Sequence, residues 1–216
     1  MAITEAIRLS TTASSVDFDK SADTLPSVHE LIRTRWSPRS FSDRPVSDQD
    51  LRTVLEAARW AASSNNEQPW RFLIARKSDG EAYGKMLSLL VPSNQEWART
   101  APVLIIMAAK KNFSHTGVPN AYALHDTGAA LANLFLQANA LGLSAHGMAG
   151  FDRERAHEVL GIPADYDLGA AVALGYRDSP DKLTNERHQK AETARRQRKP
   201  LNEIAFGPFW NQPLSL

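Results

Sequence analysis

The sequence predicts one α+β domain in which a mixed central β-sheet is flanked by helices. Three features of the chain point there. Amphipathic stretches of helical period alternate with short apolar runs of strand length. The connections between them are short for most of the chain, as in one fold rather than units on linkers. The 216 residues are 43% hydrophobic, enough for a substantial core.

In order, residues 1–27 are rich in Ser, Thr, Ala and Asp and read as an extension that is mobile unless docked; the domain is expected over 28–216. Val28, Leu31 and Ile32 share a face of a short helix from Ser27 to about Arg33. Pro38 keeps the next stretch, Arg35-Trp36-Ser37-Pro38-Arg39-Ser40-Phe41, extended or turned. Ser47 and Asp50 form a capping box, and Leu51, Val54, Leu55 and Ala58 follow at helical spacing. A polar loop then leads to a strand from Phe72. A helix from about Gly80 to Val91 and a short amphipathic segment around Asn94 to Arg99 precede Pro102.

Val103 to Ala109 is an unbroken apolar run, which suits a mid-sheet strand covered on both faces. After the irregular stretch Lys110 to Asn120, a long helix is expected from Ala121 to Leu141, with Gly142 at its C-cap. Ala129, Ala130, Leu131, Leu134, Phe135 and Ala138 occupy too much of its circumference for a surface helix. It is therefore central or packed against a second subunit. A strand from Leu143 to Ala149, a helix capped by Asp152 and ending near Leu160, and a strand from Leu168 to Gly175 continue the alternation. Arg177 to Lys199 is charged and nearly devoid of apolar residues, whereas Leu201 to Phe206 turns apolar again, as a segment that docks does.

Composition excludes several chemistries. Lys plus Arg number 25 against 24 Asp plus Glu, so no global field holds nucleic acid or an anionic membrane. Without cysteine there is no disulfide scaffold, thiolate nucleophile or thiolate metal site, which fits a reducing cytosol. Residues 1–27 contain no apolar run of signal-peptide length, and no later stretch approaches the roughly 20 apolar residues of a membrane span, so a soluble, cytoplasmic protein is expected. The sequence has neither G-x-G-x-x-G nor G-x-x-x-x-G-K. Its six histidines include no pair at H-x-x-x-H spacing, so no metal is expected. Ser144 lacks the closing glycine of a nucleophile elbow.

Three segments retain binding chemistry. In Ala61 to Phe72, the short side chains of Ala62, Ser63 and Ser64 let a flat ligand approach the backbone, while Asn66 and Gln68 each offer donor and acceptor; a plain polar helix-to-strand connection would look similar. Arg35, Ser37 and Arg39 recur at every second residue, so an extended backbone points them one way, where they could grip a phosphate and a polar ring edge together; a solvated basic turn is the alternative. Arg196 and Arg198 repeat that relation within a charge run of the kind that is usually solvated.

Taken together, Arg35-x-Ser37-x-Arg39, Asn66-x-Gln68-Pro69-Trp70, Ala149-Gly150-Phe151-Asp152 and Arg196-x-Arg198-x-Pro200 resemble the FMN-dependent nitroreductase family, in register from about Val28 to Phe206. The resemblance implies a nitroreductase-like fold and an intertwined homodimer with FMN at the subunit interface. Arg35, Ser37, Arg196 and Arg198 would hold the phosphate and ribityl oxygens, and Arg39 would face the pyrimidine edge. Ala62, Ser63, Ser64 and Asn66 would come from the partner subunit, with Gln68 and Trp70 fixing the loop. Gly150 would direct its backbone N–H toward flavin N5, with Trp36, Met148 and Ala149 completing the cofactor contacts. Residues from Leu201 onward would wrap onto the partner. The implied activity is hydride transfer from NADH or NADPH to FMN, then to nitroaromatics, quinones or other electron-poor acceptors by a ping-pong route without a catalytic side chain. Phe113, His115 and Tyr122 would lie in a lid, Phe113 and Tyr122 against substrate. Many family members carry Glu where this chain has Ala149, which keeps a second reading open: a flavin-binding protein for sensing or storage with little turnover.

Overall fold

A computed structural model describes residues 19–215, so the first 18 residues of the expected extension lie outside the described part. Eleven regular elements follow in order: α1 (Glu30–Thr34), α2 (Asp48–Arg59), β1 (Trp70–Arg76), α3 (Glu81–Ser88), α4 (Pro92–Ala98), β2 (Val103–Lys110), α5 (Ala123–Ala140), β3 (Ser144–Met148), α6 (Arg153–Leu160), β4 (Tyr166–Gly175) and α7 (Glu186–Thr193). The four strands pair in the order β1-β2-β4-β3. Every pairing is antiparallel. This corrects the mixed sheet expected from the sequence. The apolar run in β2 reports that both faces of the strand are covered, and helices on both sides of an antiparallel sheet meet that condition as well as parallel crossovers do.

Alternation along β2 divides the core. Val103, Ile105 and Met107 face α2 and α5, joining Leu51, Val54, Ala130 and Leu134. Leu104, Ile106 and Ala108 face the other way, joining Met86, Leu89, Trp97 and Phe151. Both clusters are buried, so the sheet is the middle of three layers. Gly175 is a close approach: a Cβ there would sit 2.4 Å from Pro102 Cδ. No helix among the described residues is long and apolar enough to cross a membrane.

Local signals act where the sequence puts them. The Ser47 hydroxyl accepts the Asp50 N–H at 3.0 Å and starts α2. Asp152 does the same for α6 through Arg155, and Gly142 after α5 takes φ 72°. The charged stretch after β4 contains a helix that apolar periodicity misses. Asn185 caps α7 by accepting the Arg187 N–H, and the helix buries His188 and Glu192. Upstream of α1, Lys20 is 9% exposed, and its ammonium donates to the Ala191 carbonyl of α7 at 2.8 Å. The chain is therefore tied down at that point.

Candidate functional site

The segment after α1 is extended, with Arg35 at φ −66° and ψ 125°, and it is pinned from two sides. His146 on β3 meets the Pro38 carbonyl through Nδ1 at 2.8 Å. Glu192 on α7 accepts the N–H groups of Arg39 at 2.8 Å and Ser40 at 3.2 Å. Arg35 donates to Ser37 Oγ at 3.3 Å, and its guanidinium lies 5.9 Å from the centroid of the Phe135 ring on α5. Trp36 is buried, with Lys20 4.3 Å and Arg177 5.9 Å from its ring centroid.

The tail brings Arg196 and Arg198 to this place. Arg196 donates through Nη1 to the carbonyls of Arg33 at 2.7 Å and Lys20 at 3.2 Å, clipping the tail to α1 and to the docked N-terminal segment. Arg198 donates to the neighbouring Gln197 carbonyl at 2.7 Å. Burial, then the fields of Arg196 and Arg198, lower the Arg35 pKa. Burial and Arg198 lower that of Arg196. Among the described residues no carboxylate forms an ion pair with any of the three. Grouped guanidiniums without a counter-ion are costly unless an anion binds, and their forked donors suit a phosphate.

The second predicted segment is elsewhere in the protomer. A 3-10 turn spans Ser64–Asn66, and Asn65, Asn66 and Gln68 all take positive φ, at 51°, 54° and 52°. Three left-handed non-glycine residues within four positions form a strained loop. It is braced internally: the Gln68 N–H bonds Ser63 Oγ at 3.0 Å, and its side chain bonds the Asn66 carbonyl at 2.9 Å. Ala62 and Asn66 are exposed, whereas Ser63, Ser64 and Gln68 are half-buried and Trp70 is buried. The Ser64 N–H donates to Asp126 near the start of α5 at 2.9 Å.

The third segment leaves β3. The Gly150 carbonyl accepts the Val91 N–H and the Asn94 side chain, both at 3.1 Å, which fixes that peptide. Met148 is buried, Ala149 is exposed, and the Ala149 carbonyl takes Arg153 at 3.2 Å. No side-chain charge stands at position 149.

The arginine cluster and the loop do not meet within the chain. The loop is held at Asp126, and α1 is held by Asn139, which bonds Thr34 Oγ1 at 2.8 Å. Those two positions are about 20 Å apart along the helix axis. Phe135, beneath Arg35, follows Asp126 by about two and a half turns and so faces the opposite side of α5. That helix has a second apolar stripe of Leu124, Leu131 and Phe135 that the protomer leaves exposed or half-covered. Nearby, Ile32 and Trp60 are exposed as well.

Phe113 and His115 lie on a hairpin closed by the Asn112 and Pro119 bridge, with their rings 5.6 Å apart. Tyr122 is exposed. Three residues outside the predicted set are structurally central. Glu67 accepts both the N–H and hydroxyl of Ser114, at 2.9 and 2.6 Å, tying the loop to that hairpin; the Ser114 bonds lower its pKa. Glu192 and His146 pin the arginine segment. Glu192 and His188 stand four apart on α7, a spacing that would have marked a buried face had they been apolar.

Comparison with known proteins gives one consistent answer. A profile described as the Nitroreductase family matches residues 32–176. A protein of Archaeoglobus fulgidus, named as a candidate NADH dehydrogenase/NAD(P)H nitroreductase, is 32% identical over 174 residues, 73% of this chain and 97% of its own length. A solved structure described as an oxidoreductase containing FMN superposes with a TM-score of 0.84 at 36% identity, covering 89% of this chain and 98% of that one. A candidate nitroreductase from Desulfovibrio desulfuricans, solved in complex with FMN, gives a TM-score of 0.66 at 29% identity, covering 87% and 99%.

Proposed function

The chain belongs to the nitroreductase family, and from that premise we infer that it is an FMN-dependent oxidoreductase. In this reading it takes reducing equivalents from NADH or NADPH and passes them to nitroaromatics, quinones or related electron-poor acceptors. The observation that carries the inference is the grouping of Arg35, Arg196 and Arg198 without a carboxylate partner among the described residues. Such a donor set fits the phosphate of FMN, and structures similar to this one are described as containing FMN.

When bound, FMN supplies the hydride transfer itself. The protein's residues bind and orient. Arg35, Ser37, Arg196 and Arg198 would hold the phosphate end, Arg196 keeping its Nη1 clip to the Arg33 and Lys20 carbonyls. Trp36 stiffens the segment from below. Arg39 presents a positive charge to the pyrimidine edge, where it favours the reduced, anionic form. Gly150 would offer N5 its N–H, which shares a peptide with the Ala149 carbonyl held by Arg153, and Met148 and Ala149 would line the same side. Ala62, Ser63, Ser64, Asn66 and Gln68 belong to the other half of the pocket. Because they sit at the far end and on the far face of α5, this reading requires a homodimer in which each pocket combines the arginine cluster of one protomer with the loop of its partner. The second apolar stripe of α5, with Ile32 and Trp60, is the surface such a dimer would cover. Phe113 and Tyr122 border the acceptor.

Absorption spectra of the purified protein, before and after NADPH or NADH under anaerobic conditions, test the reading. A band near 450 nm is the approximate position expected of bound oxidised flavin. Its bleaching by the nicotinamide and return with a quinone or nitroaromatic is the expected result. Colour that does not bleach would turn the assignment to flavin storage or sensing, the reading that the missing carboxylate at Ala149 favours. A colourless protein that ignores added FMN would overturn both.

A further inference from the structure

We propose that Glu192 is the positioning residue of the cofactor site, holding Arg39 in place through its backbone; this rests on the reading above in which Arg39 meets the flavin. Glu192 is 2% exposed and lies on α7, a helix whose sequence gives no hint of a buried face. Its two carboxylate oxygens accept consecutive peptide N–H groups, from Arg39 at 2.8 Å and Ser40 at 3.2 Å.

Three cations face this carboxylate from three other parts of the chain. Arg39 and Lys20 stabilise its ionised form, and Arg177 at the end of β4 feels it in turn. Lys20 is fixed by the Ala191 carbonyl and by the Trp36 ring, and Arg177 lies over that same ring. Burying a carboxylate this deeply is unfavourable unless donors and cations surround it. An apolar side chain would anchor α7 more cheaply. The charge achieves what an apolar residue cannot: it grips two adjacent donors in an extended segment and fixes the root of the Arg39 side chain against a helix.

Burial raises the Glu192 pKa, while the two N–H bonds and the neighbouring cations oppose the shift. Both of its hydrogen bonds end on the Arg39 and Ser40 backbone, so Glu192 acts on the cofactor through the placement of Arg39.

A double-mutant cycle tests this. FMN dissociation constants from flavin fluorescence quenching, apoprotein Tm, and the midpoint potential of FMN bound at saturation would be measured for the wild type, Glu192→Gln, Arg39→Ala and the double variant. Glutamine keeps the shape but loses the charge and one of the two acceptors. Glu192→Gln is expected to weaken FMN binding about tenfold and to move the potential. In the Arg39→Ala background, the same change should alter neither quantity further. A role confined to anchoring α7 would lower Tm but leave the potential of saturated FMN where it was. Wild-type affinity and potential in Glu192→Gln, or additive effects in the double variant, would overturn the proposal alone. Failure of the wild type to bind FMN would instead overturn the reading beneath it. Should Glu192→Gln not fold, Glu192→Asp keeps the charge but draws the carboxylate back from the two N–H groups; a several-fold loss of FMN affinity is expected, and wild-type affinity would overturn the proposal.

Discussion

His146 is a histidine that the fold keeps neutral. Burial beside Trp97, whose ring centroid is 4.6 Å away, brings its pKa down to about 4, and the Pro38 carbonyl bond only partly opposes this. Unfolded, the group titrates at the ordinary value near 6.5. Between those values the unfolded chain binds more protons, so stability contributed by neutral His146 is complete above pH 6.5 and is lost as pH falls toward 4. Denaturant unfolding at pH 5 should therefore show a deficit on the order of 1–2 kcal/mol relative to pH 7.5 from this group. His146→Gln should flatten that part of the profile, and an undiminished slope in the variant would place the acid sensitivity elsewhere. Gly150 is the other residue under tight constraint. A Cβ there would lie 2.9 Å from Val91 Cγ2 and 3.0 Å from Asn94 Nδ2. Gly150→Ala should cost about 1–3 kcal/mol, because Asn94 must give up the Gly150 carbonyl to make room; an unchanged Tm would show that the side chains move aside freely. Neither constraint was readable in the sequence, where His146 is one histidine of six and Gly150 one small residue after a strand.

Among the elements, α2, β2 and α5 were legible because their apolar spacing and their caps agree. Ser47 sits where the helix starts, and β2 is apolar from Val103 to Ala109. The direction of strand pairing was not legible, since a covered strand has the same composition in either sense. Nor was α7, whose buried positions are an acid and a histidine. The long helix α5 does more than fill space: its Asp126 holds the loop that carries Ser63, Ser64 and Asn66. Asp126→Ala leaves the Ser64 N–H without its acceptor, and three left-handed residues nearby make that loop prone to relax. Hydrogen exchange should accelerate across 62–68, consistent with a loss of about 1–2 kcal/mol of local protection, while the β2 amides keep theirs. Equal acceleration in both would mean that the substitution destabilises the whole domain instead.

For the whole molecule, the candidate site was legible as a set of segments but not as a place. Four short motifs pointed to one ligand, yet it is the packing on α5 that sets two of them at opposite ends and faces of one helix. Periodicity describes what lies next to a residue, whereas a pocket assembled from distant segments depends on how elements pack, and in a dimer on a surface that the single chain leaves bare. The separation along α5 also makes a prediction about inheritance of function between copies. A protomer with Arg35→Ala keeps a sound loop, and one with Ser64→Pro keeps a sound arginine cluster. Each homodimer should fail to hold FMN. Refolded together as an equal mixture, the two defective chains should regain about a quarter of the wild-type flavin content, because half the assemblies are hybrids and each hybrid has one undamaged pocket. If both halves of a pocket came from the same chain, mixing would restore nothing. With each pocket shared between two chains, two broken copies would be complementary alleles, each carrying the half that the other has lost.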